Sequence, residues 1–165
     1  MKDCHVIASA GSPQKLAWLH SVGVDRTLNY KESHNLTHDL GELAPHGIDV
    51  YFENVGGEHL AAALTHMNTF GLIAVCGMIA QYNSSEPVPG PSNLGLLIGK
   101  RLKMQGFLVS DYRASTAEFY QEMGAWISAG AIRAEETIID GIASAPDAFI
   151  GLFTGENMGK MLVRL

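Results

Sequence analysis

Ile48-Asp49-Val50-Tyr51-Phe52-Glu53-Asn54-Val55-Gly56-Gly57 is the stretch that decides the fold. Six largely apolar residues form a strand that runs into Asn-Val-Gly-Gly, and a helix is expected over Glu58 to Asn68. In an open α/β sheet, ligands lie at the carboxyl ends of such strands. An amide side chain followed by two glycines there lets a bulky ligand approach the main chain closely.

Outward from this stretch, strands and helices alternate. Before it come a buried strand over Cys4 to Ala10 and a helix opened by Pro13 and stopped by Gly23. That helix carries Leu16, Ala17, Leu19 and His20 on one side. A strand over Arg26 to Tyr30 and a helix over Leu36 to Leu43 follow. After it comes Leu72 to Gly77, apolar on both faces as a central parallel strand is. Residues 80 to 93, with Pro87, Pro89 and Pro91, form a long loop. The pattern then gives a helix near Leu94 to Arg101, a strand over Met104 to Val109, and a long helix over Ser115 to Ala129. In that helix Phe119, Met123, Trp126 and Ile127 recur at helical spacing. Strand 134–139, helix 145–153 and strand 160–165 close the chain. The alternation predicts an α/β fold, a doubly wound parallel sheet of Rossmann type. A dinucleotide fold opens with a Gly-x-Gly-x-x-Gly turn after its first strand. No such turn occurs here, so the sheet is expected to be truncated on its N-terminal side.

Composition bounds the function. The 165 residues carry 47% hydrophobic side chains, enough for one domain with a substantial core. Eleven basic against seventeen acidic residues give a net charge of −6, which argues against a nucleic-acid backbone as partner. No apolar run reaches about 18 residues, so no membrane span is expected. Two distant cysteines, Cys4 and Cys76, give no disulfide framework and suit a cytoplasmic protein.

Several strand ends carry candidate chemistry. Gly11, Ser12 and Lys15 follow the first strand, where an acidic residue would accept the ribose hydroxyls of NAD. Small donors with a cation suit a 2′-phosphate instead; an N-capping turn with a surface lysine has the same residues. Tyr30 ends the second strand, placed either to stack near an adenosine phosphate or as a half-buried edge residue. Cys76, Gly77, Met78 and Ile79, with Tyr82 beyond, follow the central strand; Gly77 permits close approach, and Cys76 reads as a buried small residue rather than a nucleophile. His34 and His38 have zinc-like spacing but no third ligand, so no metal is expected. Lys100, Arg101 and Lys103 read as a solvated helix end.

The run from Tyr51 to Gly57 resembles the Tyr-Phe-Glu/Asp-Asn-Val-Gly-Gly signature of one branch of the zinc-independent medium-chain reductases. That branch contains the leukotriene/prostaglandin reductases, plant double-bond reductases and bacterial curcumin reductases. The resemblance extends to Ala10-Gly11-Ser12-x-x-Lys15, to Cys76 through Asn83, to Phe107-Leu108-Val109 and to Gly155-Glu156-Asn157-Met158-Gly159-Lys160. It implies NADP(H) as cofactor, held by Gly11, Ser12, Lys15, Tyr30, Asn54, Cys76, Gly77, Met78, Ile79, Tyr82, Phe107, Leu108, Val109 and Asn157. It implies reduction of the carbon–carbon double bond of α,β-unsaturated ketones and aldehydes. The chain would be the cofactor-binding portion of such an enzyme, inactive alone, and the catalytic residues are unassigned. Residues 1–140 would form the partial dinucleotide-binding domain, lacking its first strand and Gly-rich turn. Residues 141–165 would return to a missing N-terminal catalytic domain. Family members also imply a homodimer through sheet edges, here Met104 to Val109 and Arg133 to Ile139. Ala80 replaces a family serine, and Gly99 replaces a tyrosine of the prostaglandin-reducing members. Met104 to Phe107 and Glu118 to Gly124 look closest to curcumin-reductase-like members. A non-catalytic nucleotide-binding or interaction module is the alternative.

Overall fold

The computed structural model describes residues 4–165; Lys2 and Asp3, expected to lead into the first strand, lie outside them. The chain runs β1 (Ile7–Ala10), α1 (Pro13–Ser21), β2 (Arg26–Asn29), α2 (Leu36–Leu43), β3 (Ile48–Glu53), α3 (Gly57–His66) and β4 (Met67–Val75). A 3-10 turn at Ile79–Gln81 and the proline-rich loop lead to α4 (Leu96–Gly99) and β5 (Lys103–Gly106). Then come α5 (Thr116–Ser128), β6 (Glu136–Asp140), α6 (Ala145–Thr154) and β7 (Lys160–Arg164). Every strand pair is parallel, as the alternation requires.

The sheet is in three pieces: β1–β2, β3–β4–β5 and β6–β7. The single sheet expected from the sequence is therefore divided. Among the described residues no strand pairs with the second edge of β1 or of β3. Within Arg133 to Ile139, expected as a sheet edge, β6 begins at Glu136; Glu136 to Asp140 align with Lys160 to Arg164, and among the described residues β6 has no strand on its other side. The expected division at 140/141 thus falls between two paired strands.

The core lies on one face of the central piece. Leu60 and Leu64 of α3 pack with Met67 and Ile73 of β4, each of the four almost fully buried. Tyr51, Val75, Leu96, Leu97 and Leu102 surround them. Such side chains contribute about 1.5–3 kcal/mol each when withdrawn from water. On the opposite face Val50 and Phe52 remain exposed, because strand residues alternate and only one face is covered here. α1 turns Leu16, Trp18 and Leu19 inward, while Ala17 and His20, expected on the covered side, are exposed. In α5 Met123 and Trp126 are partly covered, whereas Phe119 and Ile127 are exposed. Among the described residues no helix is long and apolar enough to cross a membrane.

Candidate functional site

The chemistry-bearing residues collect at the carboxyl ends of the strands. At the end of β1, the Ser12 side chain accepts from the Lys15 main-chain N–H and caps α1. The Tyr30 hydroxyl lies over Gly11, where a Cβ would stand 2.9 Å from it. The Tyr30 ring meets His59 edge-on, with centroids 5.1 Å apart. His59 opens α3 just beyond β3, so this contact brings the end of β2 to the end of β3.

The ends of β3 and β4 are laced together. The Glu53 carbonyl accepts from Cys76 N–H at 2.8 Å and Gly77 N–H at 3.1 Å. The carbonyls of Asn54 and Val55 accept from Ile79 and Ala80, each at 3.0 Å. Gly56 adopts φ 78°, ψ −158°, a conformation open essentially to glycine alone. The Tyr82 hydroxyl accepts from Met78 N–H at 3.4 Å and closes over Gly77. Cys76 is exposed on this shelf, against the expectation of a buried residue, because β4 ends one residue earlier.

β5 is shorter than the expected strand over Met104 to Val109. The strand stops at Gly106, so Phe107, Leu108 and Val109 do not end it. Phe107 N–H still reaches the Val75 carbonyl at 3.3 Å, and its ring meets Phe52 and Tyr112. Leu108 and Val109 are exposed as the chain enters a 3-10 turn.

Two further candidates have partners nearer home. The Lys15 ammonium donates to the Gly155 carbonyl at 2.6 Å, which draws the turn after α6 to the end of β1. Asn157, in that turn, donates to the Gly159 carbonyl at 2.6 Å. Lys100 is no solvated cation: it donates to the carbonyls of Thr65 and Met67 at 2.7 and 2.8 Å, closing the end of α3. Gly99 ends α4, before β5 begins, and so lies toward the amino end of the sheet.

A buried polar group that the sequence reading passed over lies beneath the turn. Glu53 is fully buried, and its Oε1 accepts from the N–H groups of Val55 and Gly56. Its Oε2 and the His59 Nε2 are buried without a partner. Burial, then the neighbouring Glu53 charge and a side-chain hydrogen bond with Glu53, push the Tyr51 hydroxyl well above the ordinary phenol range. Burial holds His59 below the usual imidazole value, against the opposing pull of Glu53 and Glu58. The available signal was a carboxylate two residues after Tyr51, hence on the same inward strand face.

Two cavities lie elsewhere. One, about 250 Å³, sits at the start of α2 beside Glu58; the other, about 470 Å³, lies between the end of α1 and Gly130 to Arg133. Neither is lined by the strand ends, which form an open shelf. In a parallel α/β fold the shelf, not the cavities, is where a ligand is expected.

Residues 1–129 match the family model described as zinc-binding dehydrogenase. This chain belongs to that family. It is 46% identical to the NADP(+)-dependent 2-alkenal reductase of Nicotiana tabacum, over 99% of the chain and 48% of that protein. It is 43% identical to prostaglandin reductase 1 of Bos taurus, over 99% of the chain and 50% of that protein. The crystal structure of CurA from Vibrio vulnificus in complex with NADPH superposes with a TM-score of 0.92 at 38% identity, over 99% of this chain and 50% of that one. The chain thus spans about half the length of these relatives. Among the described residues no three His, Cys, Asp or Glu side chains gather at metal-ligand distance. The shelf does fit a dinucleotide. At Gly11 and Gly77 side chains, Tyr30 and Tyr82 among them, lie nearest the main chain, and Ser12 and the Lys15 ammonium stand at the end of β1.

Proposed function

We propose that this chain is the cofactor-binding portion of an NADPH-dependent reductase acting on the carbon–carbon double bond of α,β-unsaturated ketones and aldehydes. The observation that carries the reading is the laced, glycine-lined shelf at the ends of β3 and β4, with the ends of β1 and β2 drawn to it through Tyr30 and His59. The similarity to an NADP(+)-dependent 2-alkenal reductase and to CurA in complex with NADPH supports the cofactor and the reaction class.

In this reading Gly11, Ser12, Lys15 and Tyr30 hold the 2′-phosphate and adenosine end. Asn54, Cys76 through Ile79 and Tyr82 line the nicotinamide half, with Phe107, Leu108, Val109 and Asn157 completing the enclosure. When bound, the cofactor supplies a hydride to the β-carbon of the enone, and a proton completes the α-carbon. The protein's task is to fix the distance and exclude water. The open edges of β1 and β3 are positions for a further parallel strand, carrying the pyrophosphate turn, from a portion outside this chain. The β6–α6–β7 unit would meet a catalytic domain, which would put β6 together with residues 141–165 on that side of the division. A homodimer through the exposed edge of β5, in the cytoplasm, completes the proposal.

Titrating this chain, beside the full-length protein, with NADPH and NADH by nicotinamide fluorescence tests the reading. A preference for NADPH in both, weaker in this chain, is expected. No preference in the full-length protein would reject the cofactor assignment.

A further inference from the structure

Glu53 is a costly residue to keep. Its carboxylate is fully buried, its Oε2 has no partner at hydrogen-bond distance, and the polar groups about it include the turn that follows and the Tyr51 hydroxyl. Burying a charge that is incompletely paired opposes folding, and a well-packed apolar side chain is often no worse for stability. Core packing alone therefore does not account for it.

What the carboxylate does can be followed bond by bond. Oε1 draws in the N–H groups of both Val55 and Gly56. This holds Gly56 at its left-handed φ and sets where Asn54 leaves the strand. The main-chain carbonyl of the same residue takes the N–H groups of Cys76 and Gly77. One residue thus fixes both strand ends that form the shelf, from beneath and without reaching its surface.

We propose that Glu53 is a positioning residue: its buried carboxylate shapes the Asn54–Gly57 turn, and with it the Cys76–Gly77 amides, into the form that receives the nicotinamide half of the cofactor. The proposal rests on the cofactor reading above, and its test separates the two. Amide hydrogen exchange, thermal melting and NADP⁺ titration are compared for this chain and its Glu53→Leu and Glu53→Gln variants. Leucine fills the space without an acceptor; glutamine keeps the Oε1 acceptor.

The leucine variant is expected to melt near the wild type, since lost hydrogen bonds and relieved desolvation oppose one another. Its Val55 and Gly56 amides should exchange about tenfold faster or more, and NADP⁺ should bind about tenfold more weakly or worse. Glutamine should restore both. A leucine variant that fails to fold, or loses melting temperature and affinity together with no rescue by glutamine, assigns Glu53 a purely structural role and overturns the proposal. Unchanged amide exchange at Val55 and Gly56 also overturns it. If the wild-type chain binds no NADP⁺, the cofactor reading fails for this chain, and amide exchange with melting still decides whether Glu53 holds the turn.

Discussion

Gly56 holds φ 78° and ψ −158°, and a Cβ there would lie 3.2 Å from that of Met78. Gly56→Ala should therefore cost about 1–3 kcal/mol, read as a lower urea midpoint with an unchanged slope. At Lys15 the ammonium uses one of its hydrogens on Gly155 and keeps two for a phosphate. Under the proposed function, Lys15→Ala in the full-length protein should weaken NADPH about tenfold to hundredfold and NADH much less, the size of a charge-assisted bond. Equal losses for the two cofactors would remove the 2′-phosphate assignment. His59 and Tyr51 tilt stability with pH at opposite ends. The His59 pKa is depressed in the fold, so the unfolded chain binds the proton first. Its contribution is present above the ordinary value of about 6.5 and is lost as pH falls toward the lower folded value. The Tyr51 pKa is raised, so its contribution is complete below about pH 10 and is lost above it. Melting curves across pH should show both losses, and His59→Gln should reduce only the acid one.

At the scale of elements, local pattern located what local forces determine. Asn35 accepts from the His38 N–H, and α2 runs over Leu36–Leu43 as its caps indicate. β3 likewise spans Ile48–Glu53, bounded by Gly47 and the glycine turn. The bounds that differ depend on distant partners. α3 ends at His66, two residues early, where Lys100 takes up its last carbonyls from more than thirty residues away. β5 ends before Phe107-Leu108-Val109 because the following 3-10 turn leaves Leu108 and Val109 in solvent, and an apolar run carries no mark of which residues find cover. The same holds for the shelf: its glycines and Asn54 were legible as a motif, whereas Glu53 and His59 gain meaning only from burial. Where α3 meets β4, Ile73 is fully buried against Leu60 and Leu64. Ile73→Ala should cost about 2–5 kcal/mol in chemical denaturation, the range for emptying a packed site. A loss below about 1 kcal/mol would show that this core is loosely packed.

The whole molecule presents three parallel pieces whose open edges and uncovered faces are extensive. Under the proposed function, turnover of a simple enone with NADPH by this chain alone should be undetectable in reduced-nicotinamide absorbance, because binding energy distributed over two domains cannot be used by one. Activity matching that of the full-length protein would overturn the reading of this chain as a portion. β5 is exposed along its length, so sedimentation should detect dimers or larger species rather than a compact monomer. The contacts of α1 also bear on how the molecule forms in time. Trp18 donates to the Glu135 carboxylate and Lys15 to the Gly155 carbonyl, more than a hundred residues downstream. During synthesis α1 leaves the ribosome more than a hundred residues before these two partners. The central piece, whose strands and helices neighbour one another in sequence, can assemble while the chain is still growing. α1 can complete these contacts only after Glu135 and Gly155 have been made, so it reaches its final place later than the central piece that follows it in sequence.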